Sequence, residues 1–376
     1  MTQPITIEDA RGALNAVFSE ATAHQDRIRC AQLAATAFGK SLSPEGYLDR
    51  EAYLAEQPLA RGGGWRWWYL ALADDPEQVV AMCKTMHRDL LVRDGPAAGG
   101  EEVVVRQEQG YCICSVVTAS SHRGRGLASV MLKAVAEWLD GPGNATASIL
   151  YSDVGDFYVS KGWDMLDSFE STLTVPASLP STEQPPFPET HPITAADIPR
   201  LCERDVESLK EDFQKYGLPK EDAVLATILP TTDMITWLQA RIAYMNRQSD
   251  GTTPDAKGSV CESADAWLFW FPDLRHGKLT IQRAKLPRGR DEAASTRALA
   301  RLLLDAVEEA ARWGMSEVDI WNPGPELHGA MRLLSSELGI KVTNQKREKE
   351  HIPCLRWRGG EKKSVVFSPN EFYPWS

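Results

Sequence analysis

The residue types best suited to chemistry lie in one short stretch rich in glycine and arginine. It reads, in order, Arg123, Gly124, Arg125, Gly126, Leu127 and Ala128. Before a helix, such a stretch predicts an anion site, because the first helical N–H groups lack partners and the helix dipole adds about half a positive charge. The glycines free the backbone, Ala128 leaves the entrance open, and Arg123 and Arg125 can make charge-assisted hydrogen bonds. We expect the anion to be a diphosphate group.

Two common nucleotide-binding loops do not fit this stretch. It lacks the GK[ST] ending of an NTP-binding loop, and no GxGxxG follows the predicted strand. NTPase and dinucleotide-binding functions are therefore disfavoured.

The elements around the loop form a predicted β-α-β-α unit. Residues 111–118 are rich in β-branched types and predict the central strand. After the loop, apolar residues recur at three- and four-residue spacing up to Trp138, which predicts a helix that Gly141 ends. Residues 147–151 predict the next strand and 156–161 a short helix. Upstream, we expect a helix at 28–38, strands at 65–72 and 78–86, and a loop at 92–110.

The second half of the chain repeats this order of elements. A proline-rich stretch at 176–192 predicts a linker between domains at 1–175 and 193–376. A degenerate duplication and a coincidence both remain open. The second loop carries Asp291 and Glu292, which would repel an anion. The repeated features are strands at 266–271 and 278–286, Arg-Gly-Arg at 288–290, a helix near 292–313 and a strand at 318–321.

The composition argues against several classes of function. The 376-residue chain is 43% hydrophobic and carries a formal net charge of -11, so we expect neither nucleic acid nor an anionic membrane as a partner. A cationic small molecule suits this balance better. No segment approaches the roughly 18 apolar residues of a membrane span, and the first thirty residues resemble no targeting signal. Seven cysteines without CxxC pairs predict reduced thiols, a cytoplasmic location and no metal site.

Two motifs resemble the GNAT N-acetyltransferases. Arg123, Gly126 and Ala128 after a bulged strand resemble the acetyl-CoA pyrophosphate loop of that superfamily, and FYVSKGW at 157–163 resembles its FYxxxGF segment. The resemblance implies an α/β fold: a GNAT domain with a mixed, mostly antiparallel sheet and flanking helices, then a degenerate GNAT-like domain that shapes the acceptor site. Segments at 150–163, 198–206, 228–234, 321–327 and 355–359 resemble the fungal lysine acetyltransferases that modify the ε-amine of free lysine.

The resemblance also implies roles for individual residues. Acetyl-CoA would be the co-substrate, and no metal would be needed. The backbone of Val116, Val117 and Thr118 would pair with the pantetheine arm, while the loop through Leu127 and Ala128 holds the diphosphate. Tyr158 matches the tyrosine that protonates the leaving thiolate. Glu108 is the nearest carboxylate on the central strand that could serve as the base.

The acceptor side is less defined by the sequence. Asp153 and Asp156 lie beside the second motif and could hold the substrate cation, although such carboxylates are also typical of a solvated surface. Trp267 and Trp270 crowd one short strand and could border an alkyl-amine, or could simply pack within the sheet. We expect acetyl transfer to a small amine, with free L-lysine as the leading acceptor. The alternatives are a polyamine, an aminoglycoside-like amine or a secondary metabolite as acceptor, or an acyl-CoA-binding protein without turnover.

Overall fold

Two mixed sheets with helices on their faces make up the computed structural model, which describes residues 2–95, 103–178, 187–220, 223–249, 253–289 and 291–376. The strands are β1 Thr2–Asp9, β2 Gly12–Glu20, β3 Trp65–Leu72, β4 Val79–Asp94, β5 Val105–Thr118, β6 Ala147–Ser152, β7 Asp164–Met165, β8 Phe169–Thr174, β9 His191–Ile193, β10 Val224–Ile228, β11 Gly258–Cys261, β12 Ala266–Asp273, β13 Lys278–Lys285, β14 Glu317–Trp321, β15 Val342–Lys346, β16 Ile352–Trp357 and β17 Val365–Phe367. The helices are α1 His24–Phe38, α2 Pro44–Ala55, α3 Leu127–Asp140, α4 Ile198–Lys215, α5 Thr232–Ser249, α6 Glu292–Arg312 and α7 Pro325–Leu338.

The first sheet carries the predicted central strand. Its order is β1-β2-β3-β4-β5-β6-β16-β7, with β10 and β17 joined at the far end of β4. All neighbours along the main path are antiparallel except β5 and β6, which run parallel because α3 crosses between them. On one face, α3 buries Met131 and Val135, and its Trp138 packs 4.8 Å from Trp68 of β3 between ring centroids.

The second sheet repeats the central part of the first. Its order is β15-β8-β14-β13-β12-β11-β9. Here β13 and β14 are the parallel pair, and α6 crosses between them as α3 does between β5 and β6. A register irregularity between Phe269 and Trp270 on β12 has its counterpart in the bulge between β4 and β5. The shared order and the matching irregularity support the duplication hypothesis.

The two sheets exchange strands across the sequence boundary predicted at residue 175. Strand β8, from the first predicted domain, lies between β14 and β15 of the second sheet. In return, β16 pairs with β6 of the first sheet, and β10 pairs with β4. Both sheets therefore depend on both halves of the chain. Residues 179–186 of the predicted linker lie outside the described residues.

Most predicted elements are present, and the differences have local causes. The strands at 65–72 and 147–151 and the long helix after residue 291 are confirmed, and the predicted helix at 28–38 begins four residues earlier. No strand was predicted before that helix, but the β1–β2 hairpin precedes α1. The predicted loop at 92–110 is wrong over its described ends, which belong to β4 and β5; residues 96–102 lie outside the described residues.

Candidate functional site

The two central strands, β5 and β6, pair for only part of their length. Their last parallel partners are Ile113 on β5 and Leu150 on β6. Residues 114–118 continue β5 beside β4, and within the described pairings they have no partner strand on the β6 side. A strand edge without a neighbour presents N–H and C=O groups that an extended, amide-bearing ligand can pair with. We call this opening the gap.

A β-bulge bends β5 at the gap. Ser115 and Val116 on β5 together oppose the single residue Cys83 on β4. Ser115 has a φ of 54°, and bulges of this kind bend a strand and re-aim its residues. The predicted cofactor-binding residues Val116, Val117 and Thr118 all lie on the open edge beyond the bend, where no residue of β6 pairs with them.

The predicted diphosphate loop leads directly into α3. Gly124 and Gly126 both have a φ of 77°, a left-handed conformation that residues with a Cβ rarely adopt. A Cβ on Gly126 would meet no atom within 4 Å, so its conformation rather than the available space requires glycine. Leu127 is buried and anchors the first turn of α3, whereas Ala128 is only half-buried. The exposed N-terminus of a 14-residue helix can therefore receive an anion.

Arg125 has a structural role that the sequence did not reveal. Its guanidinium donates to the Asp9 carboxylate at 2.7 Å and 3.2 Å and to the carbonyl of Gly12 at 2.7 Å. The bond from Arg125 holds the pKa of Asp9 below its ordinary value. The predicted ligand Arg125 thus fastens the loop to the turn between β1 and β2.

Arg123 remains available for a ligand, and a second arginine lies beside it. Arg123 is exposed and donates to the carbonyl of Thr118 at 3.3 Å. Arg11, from the β1–β2 turn, donates to the carbonyl of Arg123 at 3.0 Å. Sequence reasoning missed Arg11 because its hairpin was not predicted. The two exposed guanidinium groups add positive charge beside the helix N-terminus.

Replacing Arg123 with glutamate should weaken acetyl-CoA binding about 10- to 100-fold, because a charge-assisted hydrogen bond is lost and a like charge faces the diphosphate. Calorimetric titration with acetyl-CoA measures this change. Lys133→Glu is the matched control, since Lys133 is an exposed cation on α3 and undergoes the same charge reversal. Equal dissociation constants for the two variants would contradict the assignment of the loop.

Tyr158 lies beside the gap, and the pKa of its phenol is raised. It belongs to the 3-10 segment Gly155–Lys161 after β6 and is 8% exposed. Burial raises the pKa of its phenol, and Cys83, Cys354 and Asp153 raise it further. The phenol is therefore protonated near neutral pH, the state that a proton donor needs. Tyr158 belongs to the same core cluster as Cys83, the residue opposite the bulge, so the ring is near the place where β5 bends.

An aromatic cluster stands at the same end of β6. The Trp321 ring lies 6.1 Å from that of Tyr151, 5.9 Å from that of His351 and 4.2 Å from that of Phe372, between centroids. The cluster joins β6 of the first sheet to β14 of the second. Its members are Tyr151, Trp321, His351, Phe372 and Trp375.

Asp153 contacts the aromatic cluster through His351. One carboxylate oxygen accepts from the backbone N–H of His351 at 2.8 Å and lies 3.2 Å from its Nδ1. Partial burial alone would raise the pKa of Asp153, but the bonds from His351 hold it below the ordinary value. The carboxylate is therefore ionised at neutral pH. Asp153 and Asp156 are both exposed, and Asp153 differs in being bound to His351.

The structure does not bring Glu108 to the gap. It precedes Val116 by eight residues on β5, or about 26 Å at about 3.3 Å per residue. Its two carboxylate oxygens accept from Arg106 at 3.2 Å and from Thr146 at 3.1 Å. Glu108 is therefore too distant to take a proton from an amine at the bulge, which corrects the expectation drawn from the sequence.

Trp267 and Trp270 also lie away from the gap. Trp267 is fully buried with Phe269 in one core cluster, and Trp270 is 2% exposed in another. The two residues are three positions apart on β12, so the alternation of a strand points their indoles to opposite faces of the second sheet, in agreement with the separate clusters. They pack within the protein, as the alternative interpretation expected. Trp321 and Trp375, by contrast, belong to the aromatic cluster beside β6.

The second sheet has an equivalent opening that the chain itself fills. Beyond Ile281, β13 no longer pairs with β14. Glu371 accepts from the N–H of Ala284 at 3.3 Å, and the N–H of Tyr373 donates to the carbonyl of Gln282 at 3.0 Å. At the helix that follows, the side chain of Asp291 accepts from Ala294 and caps α6. The start of α6 is therefore a much poorer anion-binding site than the start of α3.

These features agree with comparisons to known proteins. A family model described as the LYC1 GNAT-like C-terminal domain matches residues 172–376. The chain belongs to this family. A second model, the Acetyltransferase (GNAT) family, matches residues 30–156 of this GNAT protein. This range includes the bulge, the glycine loop and Tyr151 of the aromatic cluster.

Individual relatives extend over most of this GNAT protein. A protein of Yarrowia lipolytica named lysine acetyltransferase is 23% identical, and the match covers 88% of this chain and 89% of the relative. The solved structure of a GCN5-related N-acetyltransferase from Kribbella flavida has a TM-score of 0.54 at 16% identity, covering 90% of this chain and 71% of that one. A probable N-acyltransferase from Enterococcus faecalis has a TM-score of 0.57 at 12% identity, with 91% and 73% covered. The two solved structures share the fold.

The chain is therefore a GNAT N-acetyltransferase, and its family implies acetyl-CoA as the co-substrate. The open edge of β5 and the loop before α3 fit that ligand. In the described parts of the chain, no group of three or more His, Cys, Asp or Glu side chains is arranged to hold a metal ion. None of the helices in those parts is both long and apolar enough to cross a membrane.

Proposed function

We propose that this enzyme transfers the acetyl group of acetyl-CoA to the ε-amine of free L-lysine. The observation that carries the proposal is the match to the Yarrowia lipolytica lysine acetyltransferase over 88% of the chain. The geometry of the acceptor side supports it, because Asp153, an ionised carboxylate that influences the Tyr158 phenol, is bound to His351 of the aromatic cluster. A cationic amine suits both kinds of group.

The chain's own residues orient the thioester in this proposal. The exposed N-terminus of α3 and the Arg123 guanidinium hold the diphosphate, and the backbone of residues 116–118 pairs with the pantetheine amides. A ligand held at both ends crosses the gap with its thioester near the bulge. Since Tyr158 packs in the same core cluster as Cys83, which lies opposite the bulge, this tyrosine is close to the leaving sulfur.

The reaction in this proposal is a direct attack. A lysine ε-amine with a pKa near 10.4 costs about 4.6 kcal/mol to deprotonate at pH 7, and it gives that proton to solvent in the pocket. The neutral nitrogen forms a bond to the thioester carbonyl carbon and releases a second proton to water, and the carbon–sulfur bond then breaks. Tyr158 donates its phenolic proton to the leaving thiolate and regains one from water. The products are N6-acetyl-lysine and CoA.

The two halves of the chain have different tasks in this proposal. Residues 1–175 contribute the loop, the bulge and Tyr158, while residues 193–376 contribute four of the five members of the aromatic cluster. The strand exchange fixes the halves against each other. The second half thus shapes the acceptor side and leaves cofactor binding to the first.

The test is CoA release from acetyl-CoA, measured with a thiol reagent against a panel of amines. The panel contains L-lysine, ornithine, spermidine, an aminoglycoside and a histone-tail peptide. We expect saturable release with L-lysine and a product one acetyl group heavier, with fragmentation placing that group on the ε-nitrogen. Release with spermidine or the aminoglycoside alone would keep the chemistry and refute the substrate. CoA binding without release on any amine would refute turnover.

A further inference from the structure

One arginine beside the aromatic cluster is buried without the hydrogen bonds that its guanidinium needs. Arg347 follows β15 and is 8% exposed. Its Nη1 donates to the carbonyl of His351 at 3.1 Å. Its Nε and Nη2 are buried and have no hydrogen-bond partner among the described residues. Buried guanidinium groups are normally paired, because unmade hydrogen bonds to a charge destabilise the fold.

The surroundings of Arg347 supply stacking but little negative charge. Its Cζ lies 3.5 Å above the ring of Trp321. Burial lowers the pKa of Arg347 to about 10, although Glu170 and Tyr151 act in the opposite direction. Glu170 accepts instead from Gln345 at 2.9 Å. The cation therefore lacks a carboxylate partner within the described parts of the chain.

A second polar group close to the same indole is also unpartnered. The Tyr151 hydroxyl is buried and has no hydrogen-bond partner in the described ranges, and its ring lies 6.1 Å from that of Trp321. Tyr151 is the first residue of β6 beyond its last partner on β5, so it borders the gap. Two guanidinium N–H groups and a phenol form the donor set that a carboxylate accepts well.

We propose that Arg347 and Tyr151 bind the carboxylate of the acceptor, which makes the enzyme specific for an amino acid over a carboxylate-free amine. This inference rests on the proposed acetylation of lysine and adds the group by which lysine is distinguished from a diamine. In this arrangement the carboxylate lies against Trp321 and the ε-amine reaches toward the bulge.

A second cation lies near the cluster but suits this role less well. Arg241 is positioned 4.8 Å over the ring of Trp375, yet Glu51 contributes negative charge to its surroundings. Arg347 has two identified donor atoms without partners, and for that reason we assign the carboxylate to Arg347.

The experiment compares L-lysine with cadaverine, which is lysine without its carboxylate, as acceptors for purified wild-type and variant enzymes. The wild type should have a kcat/KM for L-lysine about 100-fold or more above that for cadaverine. Arg347→Met should lower kcat/KM for L-lysine about 100-fold, mainly through KM, and leave the value for cadaverine within about threefold. Tyr151→Phe should have a smaller effect of the same kind. Lys346→Gln removes a neighbouring exposed cation and should leave kcat/KM unchanged for both acceptors.

Thermal unfolding separates this role from a structural one. Without ligand, Arg347→Met should be at least as stable as the wild type, because it removes a buried charge with unmade hydrogen bonds. L-lysine should raise the melting temperature of the wild type but not of this variant. The assignment of Arg347 would be overturned if Arg347→Met lowered kcat/KM equally for L-lysine and cadaverine. It would also be overturned if Arg241→Met, and not Arg347→Met, lowered kcat/KM for L-lysine alone. Failure of the wild type to acetylate L-lysine would overturn the proposed function and this inference with it.

Discussion

Tyr158→Phe should lower kcat about 10- to 1000-fold and leave the affinity for acetyl-CoA unchanged. The variant removes a single oxygen, so the packing of the ring near Cys83 and Cys354 persists. What is lost is the proton for the leaving thiolate, and general acid catalysis of this kind contributes within that range. Steady-state thiol release gives kcat, and calorimetry gives the dissociation constant.

The raised pKa of Tyr158 sharpens this test. Because burial keeps the phenol protonated to well above neutral pH, the wild-type rate should show no loss from ionisation of Tyr158 between about pH 7 and 10. Tyr216→Phe is the matched control, since Tyr216 is 41% exposed and should keep full activity. Wild-type kcat in Tyr158→Phe would show that the thiolate leaves without this proton, or takes it from another group.

The cofactor side of the site could be predicted from the sequence because its signals are local. The conformations of Gly124 and Gly126, the buried Leu127 and the start of α3 all follow from residues within a few positions of one another. Tyr158 likewise belongs to a short motif that follows β6 directly. Local sequence is enough where a loop and a helix N-terminus create the chemistry.

The acceptor side could not be predicted because distant segments create it. Tyr151 and Trp321 meet only because β8 crosses to the second sheet and β16 returns to the first. Arg347 stands in a run of charged residues that is typical of an exposed surface, and no sequence pattern marks it as buried. Trp267 and Trp270 gave the stronger aromatic signal, but alternation along β12 points them into separate cores.

The role of Arg125 shows a further limit of motif reading. Its spacing within the loop is right for a phosphate ligand, yet its guanidinium is already bound to Asp9 and Gly12. Sequence spacing indicates where a side chain begins but not which partner it reaches. The unpredicted hairpin of β1 and β2 supplies that partner.

A buried ion cluster lies under the sheet at the bulge and should dominate the stability of the first half. Glu51 of α2 accepts from Lys84 of β4 and, at 2.7 Å, from Arg50. Burial alone would raise the pKa of Glu51, but Lys84 and Arg50 hold it below the ordinary value. The Lys84 ammonium also lies 4.0 Å from the ring of Trp67. Lys84 adjoins Cys83, so the cluster supports the strand that carries the bulge.

Glu51→Ala should lower the free energy of unfolding by about 3–5 kcal/mol, because it leaves the buried Lys84 ammonium without its carboxylate. Denaturant unfolding followed by circular dichroism measures the change. Asp49→Ala removes an exposed carboxylate from the same helix and should stay within about 0.5 kcal/mol of the wild type. Similar denaturant midpoints for the two variants would mean that Glu51 does not compensate the buried charge of Lys84.

The double variant Glu51→Leu with Lys84→Met distinguishes the cost of leaving Lys84 as an unpaired buried charge from the cost of losing the ion pair itself. Because it removes the Glu51 and Lys84 charges together but leaves the buried Arg50 without its carboxylate, it should recover part of the stability that Glu51→Ala loses. A double variant as unstable as the single one would assign the effect to packing alone. The pH dependence has a fixed sign: a lowered carboxyl pKa stabilises the fold above about pH 4, and this contribution disappears as the pH falls through the folded value. Acid should therefore destabilise the wild type more steeply than the double variant, and the bulge, which Lys84 adjoins, should lose its support under the same conditions.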